Sequence, residues 1–281
     1  MAGGLRSSHE ASWVDPASSR RFSYRVWRPA SARALVVVVH GFGEHGGRYA
    51  AVADALAARG LCVAVPDLWG HGRSEGRRGD VVRFADYLDD LRALTEAVFL
   101  PWSGQSTYAV YGHSFGGLVA IHWALAAPPG LRRLVAQSPF LDLGFPVPRW
   151  KRLAAHWLRR CWPTARLPIT LDVSTLSHDP SVVEAYRRDP LVHCVMSARA
   201  YATLIQAQGD ALQRAGAVRM PVLLLCGAED RIVSLAAAQR WYDQLTCEKR
   251  EVVFPGCYHE LHFEAVREDV VRLVAEWAMS S

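Results

Sequence analysis

Residues 107–127 set a serine where a hydroxyl can become a nucleophile. Thr107 to Val110 is a strand-forming run and Tyr111-Gly112-His113-Ser114-Phe115-Gly116-Gly117 is a sharp turn. An Ala/Leu/Ile-rich stretch to Ala127 follows, with Leu118, Ile121, Ala124 and Leu125 at helical spacing. A strand feeding straight into a helix strains the backbone at the turn and crowds the positions two residues to either side, where only glycine fits easily. The serine Oγ is thereby lifted clear of the sheet, beside the first unpaired N–H groups of a helix whose positive end faces a developing oxyanion. Gly and Ser also crowd ordinary turns. The strand before and the apolar helix after turn the pentapeptide into the nucleophile elbow of a serine hydrolase.

A serine at neutral pH needs a base and an acid that orients the base. In a strand-turn-helix setting both are expected C-terminal to the serine, at the carboxyl ends of later strands, in the order Ser, Asp or Glu, His. The strand Val222 to Cys226 is followed by Gly227-Ala228-Glu229-Asp230-Arg231, and Arg250 to Phe254 by Pro255-Gly256-Cys257-Tyr258-His259. Asp230 is thus the candidate acid and His259 the candidate base, with Glu229 and Asp142 as alternatives for the acid and His262 for the base. His259-Glu260-Leu261-His262 lacks the H-E-x-x-H spacing that puts two imidazoles on one helix face, so no metal is expected. The oxyanion hole should combine the N–H of Phe115 with one from the loop His40 to His45, where glycines flank Phe42 and free its amide to turn inward. His40 and His45 are expected to hydrogen-bond within that loop.

These groups need a scaffold of alternating strands and helices. Leu35 to His40 and Leu61 to Pro66 are continuous apolar runs, as buried parallel strands should be. Tyr49, Val52, Ala53 and Leu56 mark one helix face between them, and Phe84, Tyr87, Leu88, Leu91, Leu94 and Val98 mark the next. Further strands are expected at Tyr108 to Gly112, Leu134 to Ser138, Val222 to Gly227 and Arg250 to Phe254. Arg21 to Trp27 alternates as half of a leading antiparallel hairpin, and Val266, Val270, Leu273, Val274 and Trp277 mark a last helix. The fold class is α/β, a mostly parallel sheet covered on both faces.

The chain of 281 residues is 51% hydrophobic and 21% charged, enough for one large α/β domain with an insertion. It has no apolar run of the roughly 20 residues that cross a membrane. The polar N-terminus lacks the apolar core of a secretory signal, so a cytoplasmic location is expected. Six cysteines without regular spacing read as free thiols, Cys247 and Cys257 being the pair closest to a disulfide candidate. The net charge of +5 comes from arginines spread along the chain, and apart from one segment, Arg149 to Trp162, no basic cluster with interleaved aromatics is present, which argues against nucleic acid as a partner.

His40-Gly-Phe-Gly-Glu-His45 with Arg48-Tyr49, Asp67-Leu-Trp-Gly-His-Gly-Arg-Ser-Glu-Gly76, the elbow, and Asp230 and His259 in their contexts together resemble the monoacylglycerol lipase and lysophospholipase group of α/β-hydrolases. The resemblance runs from about Ser12 to Trp277. It implies Ser114, Asp230 and His259 as the triad, Phe42 and Phe115 as oxyanion donors, and Asp67 to Gly76 as a fold signature. The chain departs from the pattern at Phe42 and Phe115, where smaller or unbranched residues are common, which bears on the shape of the acyl pocket. The implied activity is cofactor-independent hydrolysis of single-chain lipid esters, monoacylglycerols foremost. Lysophospholipase and small-ester or thioesterase activities are the alternatives, and a non-catalytic binding protein on the same scaffold is the reading from a different class.

The stretch from Leu134–Ser138 to Val222 is too long for a simple crossover and should hold a cap, dividing the chain into core 1–140, cap 141–210 and core 211–281. Within Arg149 to Trp162, Trp150, Leu153, Ala154, Trp157, Leu158, Cys161 and Trp162 share one helical face, and Lys151, Arg152, Arg159 and Arg160 the other. Such a helix suits either a lid that touches an anionic lipid interface, with Trp150, Trp157 and Trp162 as contacts, or a cap helix packed on its own domain.

Overall fold

The computed structural model describes residues 7–145, 157–158 and 160–280. Among the described residues ten strands form in chain order: β1 (Ser7–Val14), β2 (Arg21–Arg28), β3 (Ala34–Val39), β4 (Leu61–Pro66), β5 (Tyr108–His113), β6 (Leu131–Gln137), β7 (Arg166–Pro168), β8 (Val195–Ser197), β9 (Val222–Gly227) and β10 (Lys249–Phe254). Eight of them make one sheet in the order β1-β2-β4-β3-β5-β6-β9-β10. The β1–β2 hairpin joins β4 antiparallel, and every pairing from β4 onward is parallel.

Alternation along β3 shows how the two faces are filled. Leu35, Val37 and Val39 enter an apolar cluster with the helices Ala85–Leu94, Phe115–Ala126, Ala198–Gln213 and Leu235–Asp243. Val36 and Val38 enter a second cluster with Ala50–Ala58 and Arg267–Met279. Successive side chains point to opposite faces, so a strand with no polar residue must be covered on both. The helix expected from Phe84 to Val98 is α-helical only to Leu94 and continues through a π turn, Thr95–Phe99, into the short turn Leu100–Ser103. Pro101 supplies the reason, since it has no N–H to return to the preceding turn.

Between β6 and β9 lie the small β7–β8 ribbon and the helices Pro180–Arg188 and Ala198–Gln213. The second of these helices packs back onto Phe115–Ala126, while Pro180–Arg188 lies over the carboxyl end of the sheet and delivers Tyr186 to the cavity there. All six cysteines are free, Cys247 and Cys257 included. Among the described residues no helix is long and apolar enough to cross a membrane, and no three His, Cys, Asp or Glu side chains are grouped to hold a metal.

Candidate active site

Ser114 sits between β5 and the helix Phe115–Ala126 with φ 55° and ψ −117°, a conformation that few residues other than glycine adopt. The glycines make it sterically feasible: a Cβ on Gly112 would lie 2.2 Å from the Gly116 carbonyl oxygen. The Ser114 carbonyl accepts from Leu118 and Phe140, and its N–H donates to Gln137, so the strained turn is tied on both sides.

Asp230 and His259 follow β9 and β10 and meet across them. Nδ1 of His259 lies 2.7 Å from Oδ2 of Asp230, and Oδ1 of Asp230 accepts the N–H groups of Ile232 and Val233 at 2.8 and 3.0 Å. Gly227 permits this meeting in a way not visible in the sequence. A Cβ there would lie 2.2 Å from the Tyr258 carbonyl oxygen, so the glycine lets the histidine loop close against the strand end. Burial disfavours the imidazolium of His259, but Asp230 outweighs it and holds the ring above its ordinary pKa. Burial likewise pushes the Asp230 carboxyl up, and His259 with the two backbone donors brings it below the usual carboxylate range.

His259 and Ser114 line one cavity of about 140 Å³, together with Phe42 and Phe115. Its remaining wall is largely apolar, formed by Phe140, Phe145, Ile169, Leu171, Leu176 and Met196, with Glu44, His113, Tyr186 and Glu260 at one side. The Phe42 ring meets the Phe115 ring edge-on at 5.6 Å and the His193 ring at 5.5 Å. Two large side chains thus narrow the cavity. Among the described residues no backbone carbonyl takes the N–H of Phe42 or Phe115.

The rival residues go elsewhere. Glu229 and Asp142 are exposed, and Asp142 accepts from the N–H of Leu143. His262 is fully buried against Tyr49, its Nδ1 2.9 Å from Nε2 of Gln137. His40 donates from Nδ1 to the Gly41 carbonyl and accepts the Leu68 N–H at Nε2, so both nitrogens are used; His45 accepts from Gly47 and bonds Asp189, so the two histidines tie the loop to other segments as well as bonding within it. Asp67, with no exposed surface, accepts from Gly46 and Arg73 and so braces the loop before it. Trp157 and Trp162 are 69% and 64% exposed, and Trp150 falls outside the described residues.

The sequence of residues 30–266 matches the model of a hydrolase family described as serine aminopeptidase, S33. The chain belongs to the serine aminopeptidase S33 family of α/β-hydrolases. Among its relatives, a monoacylglycerol lipase of Mycolicibacterium smegmatis is 32% identical over 100% of this chain and 99% of its own. The monoglyceride lipase of Homo sapiens is 32% identical over 85% of this chain and 80% of its own. The crystal structure of the monoacylglycerol lipase of Paleococcus ferrophilus superposes with a TM-score of 0.81 at 29% identity, covering 96% of this chain and 98% of that one.

For an S33 family member, one part of this site escaped the sequence: a buried polar cluster of Glu44, Arg48, Tyr49, His113 and Glu260, three of which, Glu44, His113 and Glu260, line the cavity. The Glu44–Arg48 spacing of four, running from the loop into the 3₁₀ helix Gly46–Tyr49, was its one visible signal. Nothing in the order of residues brings Glu260, more than two hundred positions on, to the same arginine.

Proposed function

We propose that this protein hydrolyses the ester bond of monoacylglycerols through an acyl-enzyme on Ser114, with His259 as base, Asp230 as its orienting acid, and the N–H groups of Phe42 and Phe115 as oxyanion donors. The observation that carries the proposal is His259 itself. Its Nδ1 is held by Asp230 while the ring lines the cavity that Ser114 enters, so Nδ1–H donates to the carboxylate and Nε2 keeps a lone pair for the serine proton. Ser114 Oγ attacks the ester carbonyl as its proton passes to Nε2. The carbonyl π electrons move onto oxygen between the two amides, and collapse expels glycerol, which takes the proton from His259. Water then repeats the sequence, leaving fatty acid and free Ser114. The apolar wall suits an acyl chain, and the similarity to monoacylglycerol lipases over the full length supports a glycerol leaving group.

Residues 141–210 serve as the cap over a core of 1–140 and 211–281. Exposed Trp157 and Trp162, with Arg77 and Arg166 lining the neighbouring groove, are assigned to peripheral contact of a cytoplasmic enzyme with an anionic lipid surface.

The test has two parts. A fluorophosphonate should label wild type and leave Ser114→Ala unlabelled, and a panel of monoacylglycerols, lysophospholipids and short nitrophenyl esters should show the highest kcat/KM on monoacylglycerols. No label on Ser114, or a lysophospholipid turned over fastest, overturns the proposal.

A further inference from the structure

Glu44, Arg48 and Glu260 are almost wholly buried. Arg48 forks onto Glu260, Nη1 to Oε1 at 2.6 Å and Nη2 to Oε2 at 2.8 Å, and its Nη1 also contacts Oε2 of Glu44. The other oxygen of Glu44 accepts the Gly41 N–H at 2.5 Å and the Tyr49 hydroxyl at 2.7 Å. Having given its one proton to Glu44, Tyr49 must accept from Nδ1 of His113, 3.0 Å away. The His113 ring in turn lies 4.8 Å from the ring of His259.

Two features of this cluster call for a functional explanation. Two carboxylates share one guanidinium, so a negative charge is left over in the interior, where an unpaired charge costs stability, and such costs are concentrated at functional sites. The cluster also spans the two loops that the chemistry needs. Glu44 holds the peptide of Gly41, the residue before Phe42, and Glu260 directly follows His259, so Arg48 ties the oxyanion loop to the histidine loop.

We infer that Glu44, Arg48 and Glu260 form a positioning unit that fixes the Phe42 amide and the His259 ring relative to each other and whose surplus negative charge stabilises the His259 imidazolium formed when Ser114 gives up its proton. The inference rests on the roles proposed for Ser114 and His259. The groups facing His259 are Asp230 from the loop after β9, His113 at the end of β5, His262 and Glu260 from its own loop, and Glu44 from the loop after β3. Burial opposes the charge of Glu44, but Arg48 and His113 hold its carboxyl well below the usual range, so it is ionised at working pH. Glu44 and Glu260 both favour a protonated His259.

Two substitutions separate charge from geometry. Glu260→Gln removes a negative charge at nearly constant shape, while Arg48→Lys keeps the charge and loses the fork. With a soluble short-chain ester, Glu260→Gln should move the acid limb of kcat/KM to lower pH by about half a unit to one unit and lower kcat roughly tenfold. Arg48→Lys should lower kcat comparably and leave the limb in place. Glu44→Gln should repeat the Glu260→Gln shift and stands in for it if that variant does not fold, judged by its melting curve. Folded Glu260→Gln or Glu44→Gln with the wild-type limb would overturn the inference, as would Arg48→Lys with wild-type kcat. A wild type that a fluorophosphonate fails to label at Ser114 would instead overturn the underlying proposal.

Discussion

A Cβ placed on Gly116 would lie 2.1 Å from the carbonyl oxygen of Val39, so the helix behind the nucleophile touches the neighbouring strand backbone to backbone. No rotamer change can relieve that contact, because the obstacle is main chain. Gly116→Ala should therefore push the helix off β3, costing about 3 kcal/mol and lowering Tm by about 6 to 12 °C. Thermal unfolding checks it, and a variant that melts with wild type would contradict the packing described.

Ser114 and His259 are proposed to act as one unit, so Ser114→Ala and His259→Ala should each lower kcat by roughly 10⁴ to 10⁶, with little further loss in the double mutant. Losses that multiply would show that the two residues work separately.

His259 must be neutral to accept a proton, and Asp230 raises its pKa above the ordinary histidine value. Activity should therefore fall as pH drops through a value above about 6.5, with kcat/KM flat on the alkaline side until another group titrates. Asp230→Asn should move that limb down, since the charge that favours the imidazolium is gone. A profile unchanged down to pH 5 in wild type would point to another base.

Trp157 is more than two-thirds exposed, so most of its surface faces solvent. Trp157→Ala should leave Tm unchanged, weaken binding to anionic vesicles by about fivefold to a hundredfold, and slow turnover of long-chain substrates in micelles more than that of soluble esters. Undiminished vesicle binding would remove this side chain from the proposed lipid contact.

Much of this was legible in the sequence because the determining signals are local. Continuous apolar runs gave β3, β4 and β9 within a residue or two of their ends, since a strand buried on both faces has nowhere for a polar side chain. The glycines around Ser114 and the residues after β9 and β10 marked a strand-end site, because loops at that edge converge whatever their separation in the chain. Three things were not legible. The tie from Arg48 to Glu260 joins distant residues with no periodic signature. The π turn at Thr95–Phe99 reflects how a helix already docked on the sheet accommodates Pro101. The exposure of Trp157 and Trp162 could not be read from helical spacing, because an apolar stripe looks the same whether protein or something else covers it.

The segment from Asp189 to Arg199 is bolted to the core at several points. Asp189 takes the Nε2–H of His45 at 2.8 Å, His193 N–H donates to the Gly43 carbonyl at 2.8 Å, and Ser197 N–H donates to Gly79 at 2.8 Å. Ser197 and Arg199 both hold Asp80, and a Cβ on Gly79 would meet the Val195 carbonyl at 1.9 Å. The proposed cap and core are therefore not interchangeable parts. A chimera that grafts a relative's cap at the obvious boundaries would carry foreign partners for His45, Gly43, Gly79 and Asp80, and the first casualty would be the loop bearing Phe42. Exchange of substrate preference between relatives should succeed only when the splice leaves residues 189–199 with their own core, so that this stretch, though it lies in the proposed cap, is inherited together with the loop bearing Phe42.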